Sequence, residues 1–234
     1  MRKFLFLPLL ALLASCGKNE DCDIVTPQPE DLVSPALYAT LSQSSTDPYN
    51  GPLEVLPCET NGSFYIGNYT AKGKQVPFPA YYLITNGIGK SQKYPLRLPV
   101  GTYNVIYWGY PDYFGTAGDA YLADPTLIIG KKLNTTSLGL RKIPGDTVYY
   151  PIHSLVYGTQ NINIGKDDLQ AHLKHASAAL SVIVSETNGD AFSDAIDSMW
   201  IYISNIYSNL NYFSARPEGT FKTISFGLKP STNR

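Results

Sequence analysis

The side chains best equipped for chemistry are few: Cys16, Cys22 and Cys58, and His153, His172 and His175. A thiolate or an imidazole would be needed for nucleophilic, acid–base or transition-metal work. The cysteines are not arranged as a close-spaced pair, which argues against a zinc site. His172 and His175, beside Asp167 and Asp168, are the nearest approach to a metal cluster. On a helix the two imidazoles would share a face. On a strand three-residue spacing puts them on opposite faces, and surface histidines are the better reading. No G-x-x-x-x-G-K-[ST] loop, G-x-S-x-G elbow or H-E-x-x-H helix occurs. The acidic pair Glu30-Asp31 lies in a polar, proline-bearing stretch where carboxylates are simply solvated. No catalytic residue, metal ligand or cofactor site is therefore assigned, and a non-enzymatic protein is expected.

Cys16 has another chemistry. Arg2 and Lys3 precede an apolar run from Phe4 to Ala14, and Leu13-Ala14-Ser15-Cys16 follows as a small-residue cleavage site. This is the layout of an export signal over residues 1–15. The apolar run is also shorter than the roughly 20 residues that span a bilayer. The segment resembles the lipobox of bacterial lipoproteins, which implies lipid on the Cys16 thiol and cleavage before it. Several acyl chains, at about 0.8 kcal/mol per buried CH₂, hold a protein to a membrane where one chain is marginal. Gly17 follows, and then Lys18-Asn19-Glu20-Asp21. That stretch looks like the surface-export signal of Bacteroidota lipoproteins. It implies an outer-membrane anchor facing outward.

Cys22 and Cys58 remain. In an oxidising compartment they would form a disulfide, the alternative being two free thiols. A bridge would pin the tether to the domain, worth about 3–4 kcal/mol in the chain-entropy account. The formal net charge is only −1, with 16% charged residues and no basic cluster, so nothing marks a nucleic-acid surface. Tyr, Gly and Pro are plentiful at 18, 19 and 17, a mix that suits short strands joined by turns.

These residues need elements to hold them. Residues 16–35 carry Pro27, Pro29 and Pro35 and read as an acidic tether. Short strands are expected over Ala36–Ser42, Gly62–Tyr69, Val76–Thr85, Gly101–Tyr110, Thr126–Gly130, Thr147–Ile152, Ser198–Asn205 and Thr220–Leu228. Gly101–Tyr110 alternates well, with Tyr103, Val105 and Tyr107 opposite Asn104, Ile106 and Trp108. Asp168–Ser185 fits a helix by the spacing of Leu169, Leu173, Ala176 and Leu180. It fits a strand by the alternation through Val184, and Val182-Ile183-Val184 favours the strand in its second half. The pattern predicts an all-β sandwich. Its main domain would cover residues 36–185, with 186–234 as last strands or the start of a second β domain.

Aromatic residues cluster at Tyr107, Trp108, Tyr110 and Tyr113. Exposed, they would make a stacking platform for a glycan or an anchor for a protein partner. Half of them turned inward would be core, which is the preferred reading.

Three segments then converge. Leu98–Gly109 reads LPVGTYNVIYWG. It resembles the L-P-x-G-x-Y-x-V-x-x-W segment of FimB-type fimbrial anchor lipoproteins of Bacteroidota. His153–Gly158 is similar to that family's Leu-Phe-Tyr-Gly motif. Leu173-x-His175-x-x-Ala178-x-Leu180-x-Val182 is similar to its L-x-R-x-x-A-x-[IV]-x-V strand, with His175 where the family has Arg. The resemblance implies a transthyretin-like Greek-key sandwich, with a second sandwich left incomplete. It implies a non-enzymatic role: holding fimbrial shaft subunits, joined by strand addition, at the outer membrane. A glycan-binding lipoprotein is the alternative.

Overall fold

The computed structural model describes residues 28–228 apart from 43–46, 92–93, 112–121, 153, 179, 186–195 and 197. Ten strands of four residues or more carry the architecture. They are β1 (Leu37–Leu41), β2 (Gly51–Glu59), β3 (Ala80–Thr85), β4 (Ile88–Ser91), β5 (Gly101–Gly109), β6 (Ser137–Leu140), β7 (Val156–Ile164), β8 (Leu169–His175), β9 (Trp200–Asn211) and β10 (Pro217–Gly227). The chain is all-β among the described residues, with two 3₁₀ turns, Pro29–Asp31 and Leu133–Thr135.

One sheet runs in the order β8-β7-β5-β2-β3-β4-β1, with the two-residue strand Asp47–Pro48 also paired to β1, and β1 returns to β8. The return pairing is parallel, Leu37 opposite Leu169 through Leu41 opposite Leu173. The sheet is thus closed, where the expected sandwich has two separate layers. Each of the seven strands has a neighbour on both sides, although β7 meets β8 in register only at Val156–Tyr157 and β4 meets β1 only at Ile88. A second, four-stranded sheet runs Leu122–Ala123, β6, β9, β10.

Alternation sorts the residues into two cores. Leu53 and Val55 of β2, Val105 and Tyr107 of β5, and Ile162 and Ile164 of β7 point into the barrel. Leu56 and Cys58 of β2 and Ile106 and Trp108 of β5 point the other way. There they meet Leu138 of β6 and Leu210 and Tyr212 at the end of β9. From Val105 to Gly109 every residue of β5 is buried, because each of its faces belongs to a different core.

Two glycines permit the close packing. A Cβ on Gly109 would stand 2.6 Å from Val156 Cγ2, and one on Gly158 2.7 Å from the His172 carbonyl oxygen. Glycine lets backbones approach at these distances.

Expectation and structure differ in instructive places. Strand Gly51–Glu59 escapes pattern reading because Pro52 and Pro57 argue against a central strand. Thr126–Gly130 and Thr147–Ile152 form no strand, only an isolated bridge at Tyr149. In the ambiguous stretch the strand wins, but in its first half: β8 ends at His175. Leu180, Val182, Ile183 and Val184 lie exposed and outside any strand. The β-branched Val182, Ile183 and Val184 have no strand partner among the described residues, and β preference is largely a packing effect.

Candidate functional site

Cys16, Cys22 and Tyr113 lie outside the described residues, as does His153. Cys58 is a fully buried free thiol whose Sγ is 3.8 Å from the Leu56 carbonyl oxygen. Burial pushes it up to about 12, so it is held as the inert thiol. It packs in the outer core.

Of the aromatic cluster, Tyr107 and Trp108 are core and Tyr110 is partly buried. Tyr107 is completely buried in the barrel, where its hydroxyl donates to Gln160 Oε1 at 2.6 Å. Gln160 Oε1 also accepts from the Gln170 amide at 2.8 Å, so this pair ties β5 to β7 and β8. Trp108 is equally buried on the opposite face. Its ring stacks on Tyr212 at 5.6 Å between centroids and 10° between planes, with Tyr157 tilted against it at 5.0 Å. No glycan can reach either ring. Tyr107 and Trp108 stand on opposite faces of β5, and both faces are covered.

The junction of barrel and outer sheet is polar at one point. The Tyr212 hydroxyl donates to Glu54 Oε2 at 3.1 Å. Burial, and next the charge of Asp124, push the Glu54 carboxyl up to about 7, against the lowering effect of the Tyr212 hydrogen bond. Tyr110 lies alongside, raised by burial and then by Glu54. Its hydroxyl is the one buried side-chain oxygen without a hydrogen bond among the described residues. His172 is elsewhere, on the exposed side of β8, with Nδ1 3.0 Å from Thr40 Oγ1.

The outer face holds a second feature. β9 and β10 form a long antiparallel hairpin, Trp200 opposite Gly227 through Leu210 opposite Pro217. β6 pairs only with Asn209–Asn211. From Trp200 to Ser208, β9 is therefore paired on one side alone among the described residues. Trp200, Tyr202, Tyr207 and Phe221 on this ribbon are 57, 61, 45 and 58% exposed. The sequence signal was present, since Trp200–Asn211 contains no charged residue, no proline and no glycine.

A family model of fimbrillin-A associated anchor proteins Mfa1 and Mfa2 matches residues 26–233. The chain belongs to this anchor family.

Solved structures resembling this family member include the fimbrial anchor protein Mfa2 of Porphyromonas gingivalis. It is 10% identical, with a TM-score of 0.45, over 80% of this chain and 65% of that one. A Bacteroides ovatus protein described as a candidate adhesin is 14% identical, with a TM-score of 0.49, over 83% of this chain and 61% of its own. A Bacteroides thetaiotaomicron protein described as a candidate polysaccharide binder is 15% identical, with a TM-score of 0.44, over 75% and 56%. This anchor-family chain thus spans less than two thirds of the length of each. Comparison with curated proteins returns no relative.

Proposed function

We propose that this chain is a FimB-type fimbrial anchor, working without catalysis through protein–protein contact. The observation that carries the reading is membership of the anchor family over nearly the whole described chain. Lipid on Cys16 fixes it to the outer membrane, facing outward, and residues 16–35 lift the folded part off the surface. The strands after residue 186 complete the first domain, since β9 docks through β6 and Tyr212 onto the face of β5. Fimbrial shaft subunits join it by strand addition, in which an unpaired strand edge satisfies a partner's backbone donors and acceptors.

A crosslinked pull-down from intact cells, resolved without boiling, tests this. The expected result is a ladder of large, detergent-resistant species that disappears when the shaft subunit is deleted. A single band at the monomer mass, carrying no filament protein, overturns the reading.

A further inference from the structure

Strand addition requires an open edge, and the fold leaves few. The seven-stranded sheet is closed by β1 and β8. In the outer sheet, the edge beyond β6 is held by Leu122–Ala123. The outer edge of β10 is taken at its centre by Tyr149, whose amide donates to the Thr223 carbonyl at 2.9 Å. The Tyr149 carbonyl in turn accepts from the Ser225 amide at 2.9 Å. Among the described residues, the side of β9 that faces away from β10 is a long run without a strand partner, from Trp200 to Ser208.

Alternation says which backbone groups face outward there. In an antiparallel pair, opposed residues alternate between exchanging hydrogen bonds and turning them away. The Leu228 amide donates to the Met199 carbonyl at 2.9 Å, which places that pair among the bonded ones. Ile201 opposite Phe226 and Ile203 opposite Ile224 follow in the same phase. Thr223 and Ser225 bond outward to Tyr149, as the phase requires. Trp200, Tyr202 and Ser204 therefore turn their amides and carbonyls to the open side.

The chemistry of the occupant follows from the strand. No Asp, Glu, Lys or Arg occurs from Trp200 to Asn211. The cation on β10, Lys222, stands beyond this half opposite Ile206 and lies over the Tyr149 ring at 5.7 Å. A charged partner strand would find nothing to pair with, and an uncharged one pays no such penalty. The bulge between Ile203 and Ile206, with Asn205 at φ 63°, ends the regular register. The short run Trp200–Ser204 is the usable edge.

Resting on the anchor reading, we infer that the open side of β9 at Trp200, Tyr202 and Ser204 receives an extended, uncharged segment of a fimbrial subunit as an added strand. Trp200 and Tyr202 cover one face of that segment, and Ile201 and Ile203 the other.

The experiment measures binding of the full chain to sheared fimbriae from the bacterium that encodes it. Tyr202→Pro removes the outward amide and leaves the β9–β10 ladder intact. Thr223→Pro is the matched control, because the Thr223 amide faces the other edge of the same ribbon. Circular dichroism checks that both variants fold. The expected result is at least tenfold weaker binding for Tyr202→Pro and unchanged binding for Thr223→Pro. Wild-type binding by both, or equal loss in both, overturns the edge assignment while leaving the anchor reading in place. No binding by the wild type removes the anchor reading and this inference with it. A wild-type dimer that Tyr202→Pro converts to monomer, with fimbrial binding unchanged, gives the edge to a second copy and also overturns the inference.

Discussion

The indole N–H of Trp108 donates to the carbonyl oxygen of Tyr212 at 3.0 Å, and the two rings stack. The two residues are 104 positions apart in the chain. One stands on the barrel wall and the other at the end of β9, so the pair fastens the outer sheet to the closed one.

Removing this ring removes the fastening. Trp108→Ala leaves a cavity between the cores and an unpaired Tyr212 carbonyl, which together cost about 3–5 kcal/mol. The expected outcome in urea titration is a much lower midpoint. Trp108→Phe keeps most of the packing and loses the hydrogen bond, and it should fall between wild type and Trp108→Ala.

Glu54 gives stability a pH dependence. Its folded value is raised to about 7 from 4.5, so between those values the folded state holds more protons than the unfolded one. Stability contributed by the protonated acid is complete below the unfolded value and is lost as pH rises through about 7. The loss amounts to about 3 kcal/mol from pH 4.5 to pH 8. Thermal melts across that range should show the decline, and Glu54→Gln should flatten it.

Cys58 should be silent in the folded protein. Its buried thiol, pushed up to about 12, gives iodoacetamide neither access nor thiolate. After unfolding in urea without reductant, mass spectrometry should find Cys58 alkylated. Alkylation that appears only after reduction would show a bridge to Cys22.

Gly158→Ala tests the close approach of β7 and β8. The added Cβ meets the His172 carbonyl at 2.7 Å, a backbone atom that cannot swing aside. A destabilisation of about 1–3 kcal/mol is expected from calorimetry.

Cys16→Ala removes the acceptor for lipid. The variant should move from the detergent phase to the aqueous phase on Triton X-114 partition. Retention in the detergent phase would show an attachment that does not depend on Cys16.

Much of the fold was legible where local pattern and final environment agree. β5 was placed to within a residue, because its alternation holds on both sides of the strand. The family was legible for a related reason, since LPVGTYNVIYWG encodes a turn followed by a two-sided core strand. β2 and β7 were missed, because Pro52, Pro57 and Gly158 are residues that ordinarily stop strands. What admits them is long-range: Gly158 stands against His172 from a neighbouring strand. Sheet closure was equally invisible, for it depends on β1 meeting β8 in parallel. The open edge of β9 was half legible. Ser198–Asn205 read as a strand, shorter than the observed Trp200–Asn211, and only the short reach of β6 shows which side of it is bare.

That parallel closure has a consequence for how the molecule comes into being. Thr40 meets His172 across 132 positions of sequence. Topologies dominated by such distant pairings fold slowly, in milliseconds to seconds, because loop entropy is spent before contacts form. A chain delivered from its N-terminus gives β1 its partners Asp47–Pro48 and β4 early, but the opposite edge of β1 waits for β8. Closure of the barrel is thus timed by the arrival of its last strand, while the hairpins among residues 37–91 need no such wait.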